Sequence, residues 1–341
     1  MTLPPMKAAG RRRAKEAASW LLGYGGVRVL VTGASGFIGR HVWQYLSDAG
    51  SDLIVVGRSG AKLERIADQS GLSGLRIAVD LSDGVAIRAL LEEVRPAIVF
   101  NAAGYGVGPA ETDGRTNERI NAELPAELAV QVGRDVRGWR GQQLVHIGSA
   151  FEYGSVAGEV KEETEAHPAS PYGEMKLQGT RMLSRVREAN GVRAVTARVC
   201  TVYGPGEHRH RLLPSLLRAG AARAPLDLTA GDQERDFTYV RDVAEGLLRI
   251  GLLAEAPPVL NLATGRTAPV RDFATRAYTT AGGDASQLNF GALPYRSNEV
   301  WQGPVNVELL RDVTGWVASS SIDDGVRATY EALLRTGELT T

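Results

Sequence analysis

Tyr172 and Lys176 are the two residues whose types and spacing most directly suggest chemistry. Residues four apart lie on one face of a helix, so both side chains can meet at one substrate atom. With ten Tyr and five Lys in 341 residues, chance would supply about 0.15 such pairs. A free phenol has a pKa of about 10, and a nearby ammonium lowers it. Tyr172 could then exchange a proton with a carbonyl or hydroxyl oxygen while a hydride moves at the carbon.

Ser149 is the third residue of this predicted catalytic set. It stands at the end of the fifth predicted strand, and open α/β sheets bind ligands at the carboxyl ends of their strands. Its hydroxyl is therefore expected to hydrogen-bond the reacting oxygen. A Ser at a strand end is common, so this assignment depends on the Tyr–Lys pair.

A glycine-rich loop directly follows the first predicted strand and opens a helix, as a dinucleotide-binding turn does. Its glycines permit a tight turn and a close approach of the backbone to a pyrophosphate, and the helix N-terminus favours that negative charge. The alternative is an ordinary strand-to-helix turn. The residues predicted to bind the cofactor are Gly33, Ser35, Gly36, Phe37, Ile38 and Gly39. Lys176 is expected to hold the nicotinamide ribose as well.

The end of the second predicted strand bears on the choice between NAD and NADP. An NAD site usually places a carboxylate there to bind the ribose 2′-hydroxyl. This strand instead ends at Arg58, whose guanidinium suits a 2′-phosphate, so NADP(H) is favoured and NAD(H) is the alternative. Arg58 could equally be a solvated surface cation. Contacts at the adenine and beneath the cofactor are predicted for Asp80, Leu81, Asn101, Ala102 and Ala103.

Short β-branched runs alternate with amphipathic stretches from Val27 onward, which predicts a parallel sheet covered on both faces. Strands are predicted over 27–31, 53–56, 75–79, 97–100, 144–147 and 192–199, and helices near 38–50, 60–70, 84–94, 117–134 and 172–190. This order is typical of the α/β class, as a doubly wound parallel Rossmann sheet.

Beyond residue 200 the chain breaks into shorter pieces that contain proline, which predicts a smaller C-terminal substrate-binding lobe. We expect the Rossmann domain to span 27–200 and to receive 236–265, whereas the lobe comprises 201–235 and 266–341. A cleft between the two is the expected ligand site. Residues 1–26 carry five basic residues and one acidic residue, and we interpret them as a disordered or loosely helical extension rather than a signal peptide.

Composition limits the partners and the compartment. Acidic and basic residues balance at 39 each, so no overall field would attract a nucleic acid or an anionic membrane. No apolar run approaches the roughly 20 residues of a membrane-spanning helix. The single Cys200 cannot form an internal disulfide, which fits a reducing cytoplasm. His208 and His210 have no further ligands nearby in the chain, so no metal site is predicted.

Three further segments carry a resemblance to a known family: Arg198–Gly206 (RVCTVYGPG), Arg235–Asp242 (RDFTYVRD) and Asn261–Gly265 (NLATG). With the glycine loop and the Tyr–Lys pair, they make residues 27–335 resemble the extended short-chain dehydrogenases/reductases, which include nucleotide-sugar epimerases, dehydratases and reductases. The resemblance implies a nucleotide-diphosphate sugar as substrate. It also implies a homodimer, for which the helices predicted over 117–134 and 172–190 are the candidates.

The same resemblance implies a set of substrate contacts. The arginine that matches Arg235 contacts the diphosphate in such enzymes, a role that suits the fork of a guanidinium. Leu228 would lie beside the nucleotide base, while Arg296 and Glu299 would reach phosphate or ribose. Phe151 is expected at the sugar, with Ser149 and Tyr172.

Departures from the family pattern narrow the reaction. The 4,6-dehydratases carry an Asp-Glu pair directly after the hydroxyl residue, whereas this chain has Ala150 and Phe151, with Glu152 one place late and expected to point the other way. The remaining Ser-Tyr-Lys set suffices for keto-sugar reduction or for 4-epimerisation. Because Arg58 favours exchangeable NADPH, we expect a 4-ketoreductase of a nucleotide-activated 4-keto-6-deoxy sugar, as in deoxysugar biosynthesis. An NAD-dependent nucleotide-sugar 4-epimerase and a non-catalytic NADP-binding sensor or scaffold are the alternatives.

Overall fold

A seven-stranded parallel sheet forms the centre of the fold. The computed structural model describes residues 19–106, 111–133 and 138–339. The strands there are β1 (Arg28–Thr32), β2 (Asp52–Gly57), β3 (Leu75–Ala78), β4 (Ile98–Asn101), β5 (Leu144–Ser149), β6 (Ala194–Val199), β7 (Thr201–Tyr203), β8 (Leu226–Leu228), β9 (Glu234–Arg235), β10 (Phe237–Tyr239), β11 (Val259–Leu262), β12 (Ala268–Pro269) and β13 (Leu288–Phe290). The central sheet has the order β11-β6-β5-β4-β1-β2-β3, which confirms the predicted doubly wound α/β fold.

The strand order reverses direction between β1 and β4. From β1 the chain adds β2 and β3 on one side, and from β4 it adds β5, β6 and β11 on the other. Val29 pairs with Ile98 and Thr32 pairs with Asn101, so both strands end at the same edge. Such a reversal opens a crevice at the carboxyl ends of the strands, where open α/β sheets bind ligands.

The sheet contains one strand more than predicted. β11 pairs with β6 in parallel, with Val259 opposite Thr196. It has only four residues and directly follows Pro257 and Pro258, so periodicity cannot separate it from a loop. It lies within 236–265, the segment expected to return to the Rossmann domain.

Helices cover both faces of the sheet, and buried apolar side chains form a separate cluster on each face. The α-helices of the described residues are α1 (Phe37–Asp48), α2 (Gly60–Ser70), α3 (Gly84–Val94), α4 (Gly114–Glu118), α5 (Leu124–Val132), α6 (Pro171–Asn190), α7 (Leu212–Ala222), α8 (Val240–Gly251), α9 (Val270–Thr280), α10 (Glu308–Thr314) and α11 (Ile322–Thr336).

The helix predicted over 117–134 begins earlier and is not uniform. α4 begins at Gly114 because the Asp113 carboxylate accepts a hydrogen bond from the Thr116 amide at 2.7 Å. A π-helical turn, Arg119–Glu123, then joins α4 to α5. Residue 134 lies outside the described residues.

Helix α6 carries two of the three predicted catalytic residues, and its start is well defined. The Ser170 hydroxyl accepts a hydrogen bond from the Gly173 amide at 3.1 Å, and Pro171 occupies the first helical position. Gly191 ends the helix in the left-handed conformation. Tyr172 therefore lies in the first turn of α6, and Lys176 follows one turn later.

The remaining strands form three small two-stranded sheets, β7 with β10, β9 with β12, and β8 with β13. A third cluster of buried side chains lies among these strands and α7, α9 and α11. Within it the Phe237 and Phe273 rings stack with centroids 4.0 Å apart.

The N-terminal segment is more ordered than predicted from residue 19 onward. A 3₁₀ turn, Leu22–Tyr24, places Tyr24 in the core, where its hydroxyl donates to the Leu248 carbonyl at 2.6 Å. Residues 19–24 have the helical form that the prediction for 1–26 allowed, but they are packed rather than loose, because the Tyr24 ring packs against Phe100 and Trp139. Residues 1–18 of that extension lie outside the described residues.

Candidate active site

The fold brings Ser149, Tyr172 and Lys176 together at the carboxyl end of β5. Ser149 is the last residue of β5, and its side chain hydrogen-bonds the side chain of Tyr172. The Phe151 ring packs edge-on to the Tyr172 ring at a centroid distance of 6.3 Å. The three predicted catalytic residues thus share one site, with Phe151 at its rim.

Burial controls the ionisation of Tyr172. It raises the pKa of the phenol to about 12, although the hydrogen bond with Ser149 acts in the opposite direction. Glu152 raises this pKa further and Arg211 lowers it. The expectation of a phenol made acidic by Lys176 is therefore wrong for the protein alone. At neutral pH Tyr172 carries its proton, which suits a general acid.

Lys176 is buried beneath the site and donates a hydrogen bond from Nζ to the Ile147 carbonyl at 2.9 Å. Burial lowers the pKa of this ammonium to about 8, and the nearby Glu152 carboxylate opposes that shift. Gly104, just beyond β4, faces Lys176, because a Cβ built there would lie 3.9 Å from Nζ.

Asn121 is a neighbour of this site that sequence reasoning missed. It lies in the π-helical turn, fully buried, and donates from Nδ2 to the Tyr105 carbonyl at 2.7 Å. The same ideal Cβ of Gly104 would lie 3.8 Å from its Oδ1. The one available signal was a polar residue between Ile120 and Ala122 on a predicted apolar helix face.

The glycine loop has the shape that a dinucleotide pyrophosphate requires. Gly33 has φ +61°, and a Cβ there would lie 2.5 Å from the Ala102 carbonyl oxygen. A Cβ at Gly39 would lie 2.3 Å from the Gly33 carbonyl oxygen, so neither position tolerates a side chain. α1 begins at Phe37 and has no side-chain cap, which leaves its first amides directed at the crevice. Ser35 and Ile38 belong to the same turn. These residues fit the pyrophosphate of NAD(P).

Asn101 connects the loop to the strands behind it. Its side chain accepts a hydrogen bond from the Thr32 hydroxyl at 2.6 Å and donates one to His146 Nδ1 at 3.1 Å. The amide is therefore turned into the sheet. Ala102 and Ala103, which follow it, pack against Gly33 and lie along the predicted cofactor path.

Arg58 is exposed and belongs to a group of cations at the end of β2. Burial lowers the pKa of Lys62, and the charges of Arg40, Arg58 and Arg65 lower it further. Arg40 donates to the Gly36 carbonyl at 3.1 Å, which places its guanidinium beside the glycine loop. Sequence reasoning missed Arg40, Lys62 and Arg65, although all three stand close to Gly39 or Arg58 in the chain.

The two residues predicted at the adenine behave differently from one another. The Asp80 carboxylate accepts hydrogen bonds from the Ser82 amide at 2.9 Å and its hydroxyl at 2.8 Å. These bonds lower the pKa of Asp80, and Arg58 lowers it further. Leu81 is buried in the core cluster beneath this turn, so its side chain supports the surface.

A narrow cleft next to Ser149 contains several of the predicted substrate contacts. Phe151, Arg235 and Gln302 line it. Gln302 belongs to the late loop, residues 291–307, which joins β13 to α10. Arg235 forms a short ion pair with Glu299, and burial lowers the pKa of the guanidinium. The structure thus brings Arg235 and Glu299 into one contact, so the cation predicted for the diphosphate already has an anionic partner.

Of the remaining predicted substrate residues, Arg296 lies in the late loop and Leu228 lies next to its start. Arg296 is exposed, and its carbonyl accepts a hydrogen bond from the Glu299 amide at 3.1 Å. Leu228 ends β8, and its carbonyl accepts hydrogen bonds from the Gly291 and Leu293 amides, at the start of that loop. Its side chain packs against the third core cluster.

Within the described ranges, no three His, Cys, Asp or Glu side chains gather as a metal site. His208 and His210 lie with ring centroids 5.3 Å apart. In the same part of the chain, no helix is both long and apolar enough to span a bilayer.

Comparison with known proteins agrees with this geometry. Residues 29–263 match the model of the NAD dependent epimerase/dehydratase family. The dTDP-6-deoxy-L-talose 4-dehydrogenase (NAD(P)(+)) of Kitasatospora kifunensis is 29% identical over 89% of this chain and 95% of its own. The GDP-6-deoxy-D-mannose reductase of Pseudomonas aeruginosa is 27% identical over 88% and 95%. The structure of MoeE5 in complex with UDP-glucuronic acid and NAD is 27% identical, with a TM-score of 0.76 over 91% of this chain and 99% of that one.

The fold and the Ser-Tyr-Lys site define an NAD(P)-dependent enzyme of the short-chain dehydrogenase/reductase type. The chain belongs to the NAD dependent epimerase/dehydratase family, which confirms the predicted resemblance.

Proposed function

We propose that this protein is an NADPH-dependent 4-ketoreductase of a nucleotide-activated 4-keto-6-deoxy sugar. The observation that carries the proposal is a Tyr172 that keeps its proton at neutral pH and is hydrogen-bonded to Ser149. The two positions directly after Ser149 hold Ala150 and Phe151, so they cannot supply the acid and base that β-elimination of water needs.

The residues divide the work of the reduction in a simple way. NADPH, when bound along the glycine loop, would supply the hydride for the carbonyl carbon. Tyr172 gives its proton to the carbonyl oxygen, so the ketone becomes an alcohol and the phenolate takes a proton back from solvent. Ser149 orients that oxygen through its hydroxyl. The Lys176 ammonium stabilises the developing phenolate and holds the nicotinamide ribose.

The basic cluster of Arg40, Arg58, Lys62 and Arg65 supports the choice of NADPH. These cations surround the end of β2, where a 2′-phosphate would lie beside the adenosine ribose. A phosphate binds arginine forks through paired, charge-assisted hydrogen bonds. The relative from Kitasatospora kifunensis is named for NAD(P)(+), which is compatible with either cofactor.

The relatives support the choice of sugar. Two of them are named for the oxidation or reduction of a 6-deoxy hexose attached to a nucleoside diphosphate. In this chain, Arg235 and the late loop that carries Arg296 and Glu299 border the cleft beside Ser149. A diphosphate could displace the Glu299 carboxylate and take its place on the Arg235 guanidinium.

Cofactor binding and turnover together test this proposal. Cofactor-free protein is titrated with NADPH and NADH, and then incubated with NADPH and enzymatically prepared dTDP- or GDP-4-keto-6-deoxy hexoses. We expect tighter NADPH binding and one NADPH consumed per alcohol formed. Stoichiometric NAD that copurifies, with isomerisation but no net consumption, would instead identify a 4-epimerase. Binding without any turnover would favour the sensor or scaffold.

We also propose that the enzyme works in the cytoplasm as a homodimer formed through α5 and α6. A surface groove borders these helices together with α3 and the π-helical turn, and its lining includes Val130, which is half exposed, and Met182. Sedimentation velocity of the wild type and of Val130→Asp tests this assembly, and we expect the wild type to sediment as a dimer and the variant as a monomer. A monomeric wild type would contradict it.

A further inference from the structure

A buried carboxylate lies directly behind the catalytic residues. Glu152 is fully buried, and the proposed reaction does not use its carboxylate directly. Its Oε1 accepts a hydrogen bond from the Ser149 amide at 2.8 Å. The space it occupies exists because residue 148 is glycine, since a Cβ at Gly148 would lie 2.6 Å from that oxygen.

The second carboxylate oxygen of Glu152 reaches two other elements of the fold. Oε2 accepts a hydrogen bond from the Thr180 hydroxyl at 2.9 Å and from Arg198 Nε at 2.7 Å. Thr180 lies on α6, one turn beyond Lys176, and Arg198 lies on β6. One carboxylate therefore ties together the Ser149 turn, the helix of Tyr172 and Lys176, and the neighbouring strand.

We propose that Glu152 is a positioning residue that sets the distance between the Ser149 turn and α6 and supplies the negative charge that keeps Lys176 an ammonium ion. This inference rests on the proposed function of the Ser-Tyr-Lys site. Misplacement of reacting groups by about 1 Å can reduce a rate by about 10²-fold. A buried anion close to a lysine favours its charged form.

Among the described residues, few charged and titratable groups surround Lys176. Tyr172 stands one turn earlier on α6, His146 lies on β5, and Glu152 lies in the turn that follows β5. The charge of Lys176 adds to burial in lowering the pKa of His146 far below its usual value, so this imidazole is neutral. Glu152 is thus the anion that opposes the effect of burial on Lys176.

Arg198 is the cation that Glu152 faces, and a wider network fixes it. Its guanidinium lies 4.3 Å from the centroid of the Tyr153 ring, and Nη1 donates to the Glu162 carbonyl at 3.4 Å. The Tyr153 hydroxyl donates to Asn261 Oδ1 at 2.7 Å. Because Arg198 is held by these contacts, the position of Glu152 is defined independently of any ligand.

The test compares Glu152→Gln with two controls. Thr180→Val removes the tether to α6 but keeps the ion pair with Arg198. Glu245→Gln removes a partly buried carboxylate of a different ion pair, with Arg249 at 2.8 Å on α8. We would measure kcat, the cofactor Kd and the titration of Lys176. NMR of protein labelled at the lysine ε-carbon monitors this titration. Lys→Arg changes at the other four lysines identify the Lys176 signal.

Glu152→Gln should lower kcat by about 10²-fold with an unchanged cofactor Kd. Lys176 should titrate about one unit below its value of about 8 in the wild type. Thr180→Val should lower kcat without moving that titration, and Glu245→Gln should change neither. Wild-type kcat and an unmoved Lys176 titration in folded Glu152→Gln would overturn the proposal.

Two provisions keep the result decisive. If Glu152→Gln does not fold because Arg198 is left unpaired, the double variant Glu152→Gln/Arg198→Met removes both charges, a change that buried ion pairs often tolerate. The same losses are expected from it, and wild-type behaviour would again overturn the proposal. If the double variant also fails to fold, kcat of Thr180→Val decides. The Lys176 titration needs no substrate, so inactivity of the wild type on every sugar would refute the proposed function separately.

Discussion

Replacement of Gly33 by alanine tests the dinucleotide-binding loop. Gly33 has φ +61°, a conformation that costs an L-residue about 1–2 kcal/mol. The new Cβ would also lie 2.5 Å from the Ala102 carbonyl oxygen and 2.7 Å from the Ala103 nitrogen. Because these are backbone atoms, they must move together with β4, and overpacking of this kind typically adds about 1–3 kcal/mol. We expect Gly33→Ala to lower the free energy of unfolding by about 2–5 kcal/mol.

Gly50→Ala is the matched control for this substitution. Gly50 has φ +69°, but no atom lies within 4 Å of an ideal Cβ there. This variant should therefore lose only the conformational part, about 1–2 kcal/mol. Denaturant unfolding of both variants gives the stability difference, and calorimetric titration with NADPH gives the affinity of whatever remains folded. Equal stability losses in the two variants, with wild-type NADPH affinity for Gly33→Ala, would refute the close approach of the loop to β4.

Three further predictions concern the chemistry of the site. Tyr172→Phe should lower the reductive kcat by about 10²–10⁴-fold with little change in cofactor Kd, and a rate near wild type would exclude Tyr172 as the proton donor. Since the Lys176 ammonium has a pKa of about 8, its charged form is present below that pH and is lost above it. The reductive rate of the wild type should therefore fall about tenfold per pH unit above that pH. The rate of Lys176→Arg, if this variant is active, should not change over the same range. A wild-type rate that does not fall there would contradict the role of the ammonium. The double variant Arg58→Ala/Lys62→Ala should weaken the binding of NADPH more than the binding of NADH. The control is Arg28→Ala, which removes an exposed ion pair with Asp52 elsewhere on the surface. Equal weakening of the binding of both cofactors would exclude the 2′-phosphate site.

Local patterns predicted the features of this fold that are local in the chain. The β-branched runs of five of the six predicted strands lie buried in a parallel sheet, where both faces are covered, whereas β3 lies at the edge and is partly exposed. The Tyr172–Lys176 pair followed from helical spacing, and the glycine loop followed from its place between β1 and α1. β11 was missed because its four residues directly follow Pro257 and Pro258, and prolines within or beside an apolar run argue against a strand.

The contacts that define the site are non-local, and no sequence pattern contained them. Glu152 pairs with Arg198 across 46 positions, and Arg235 pairs with Glu299 across 64. Whether a charged residue faces solvent, a ligand or a buried partner depends on which elements the fold brings together. The raised pKa of Tyr172 has the same origin, because burial is a property of the packed structure.

The role of Asn121 beside the site was not predicted, for a third reason. The amphipathic pattern predicted a regular helix over this segment, and the π-helical turn that places the amide beside Gly104 has no simple sequence signature. The prediction gave the element but not the local geometry that turns a side chain toward the site.

Transfer of deuterium from NADPH labelled at nicotinamide C4 tests the central claim most directly. The labelled cofactor is incubated with the wild-type enzyme and a nucleotide-activated 4-keto-6-deoxy sugar, and the product is analysed by mass spectrometry and NMR. We expect one deuterium at C4 of the sugar for each NADPH oxidised, and Tyr172→Phe should suppress this transfer. A product without deuterium, formed by protein that retains NAD through purification, would contradict a reductase and identify an enzyme that recycles its own cofactor.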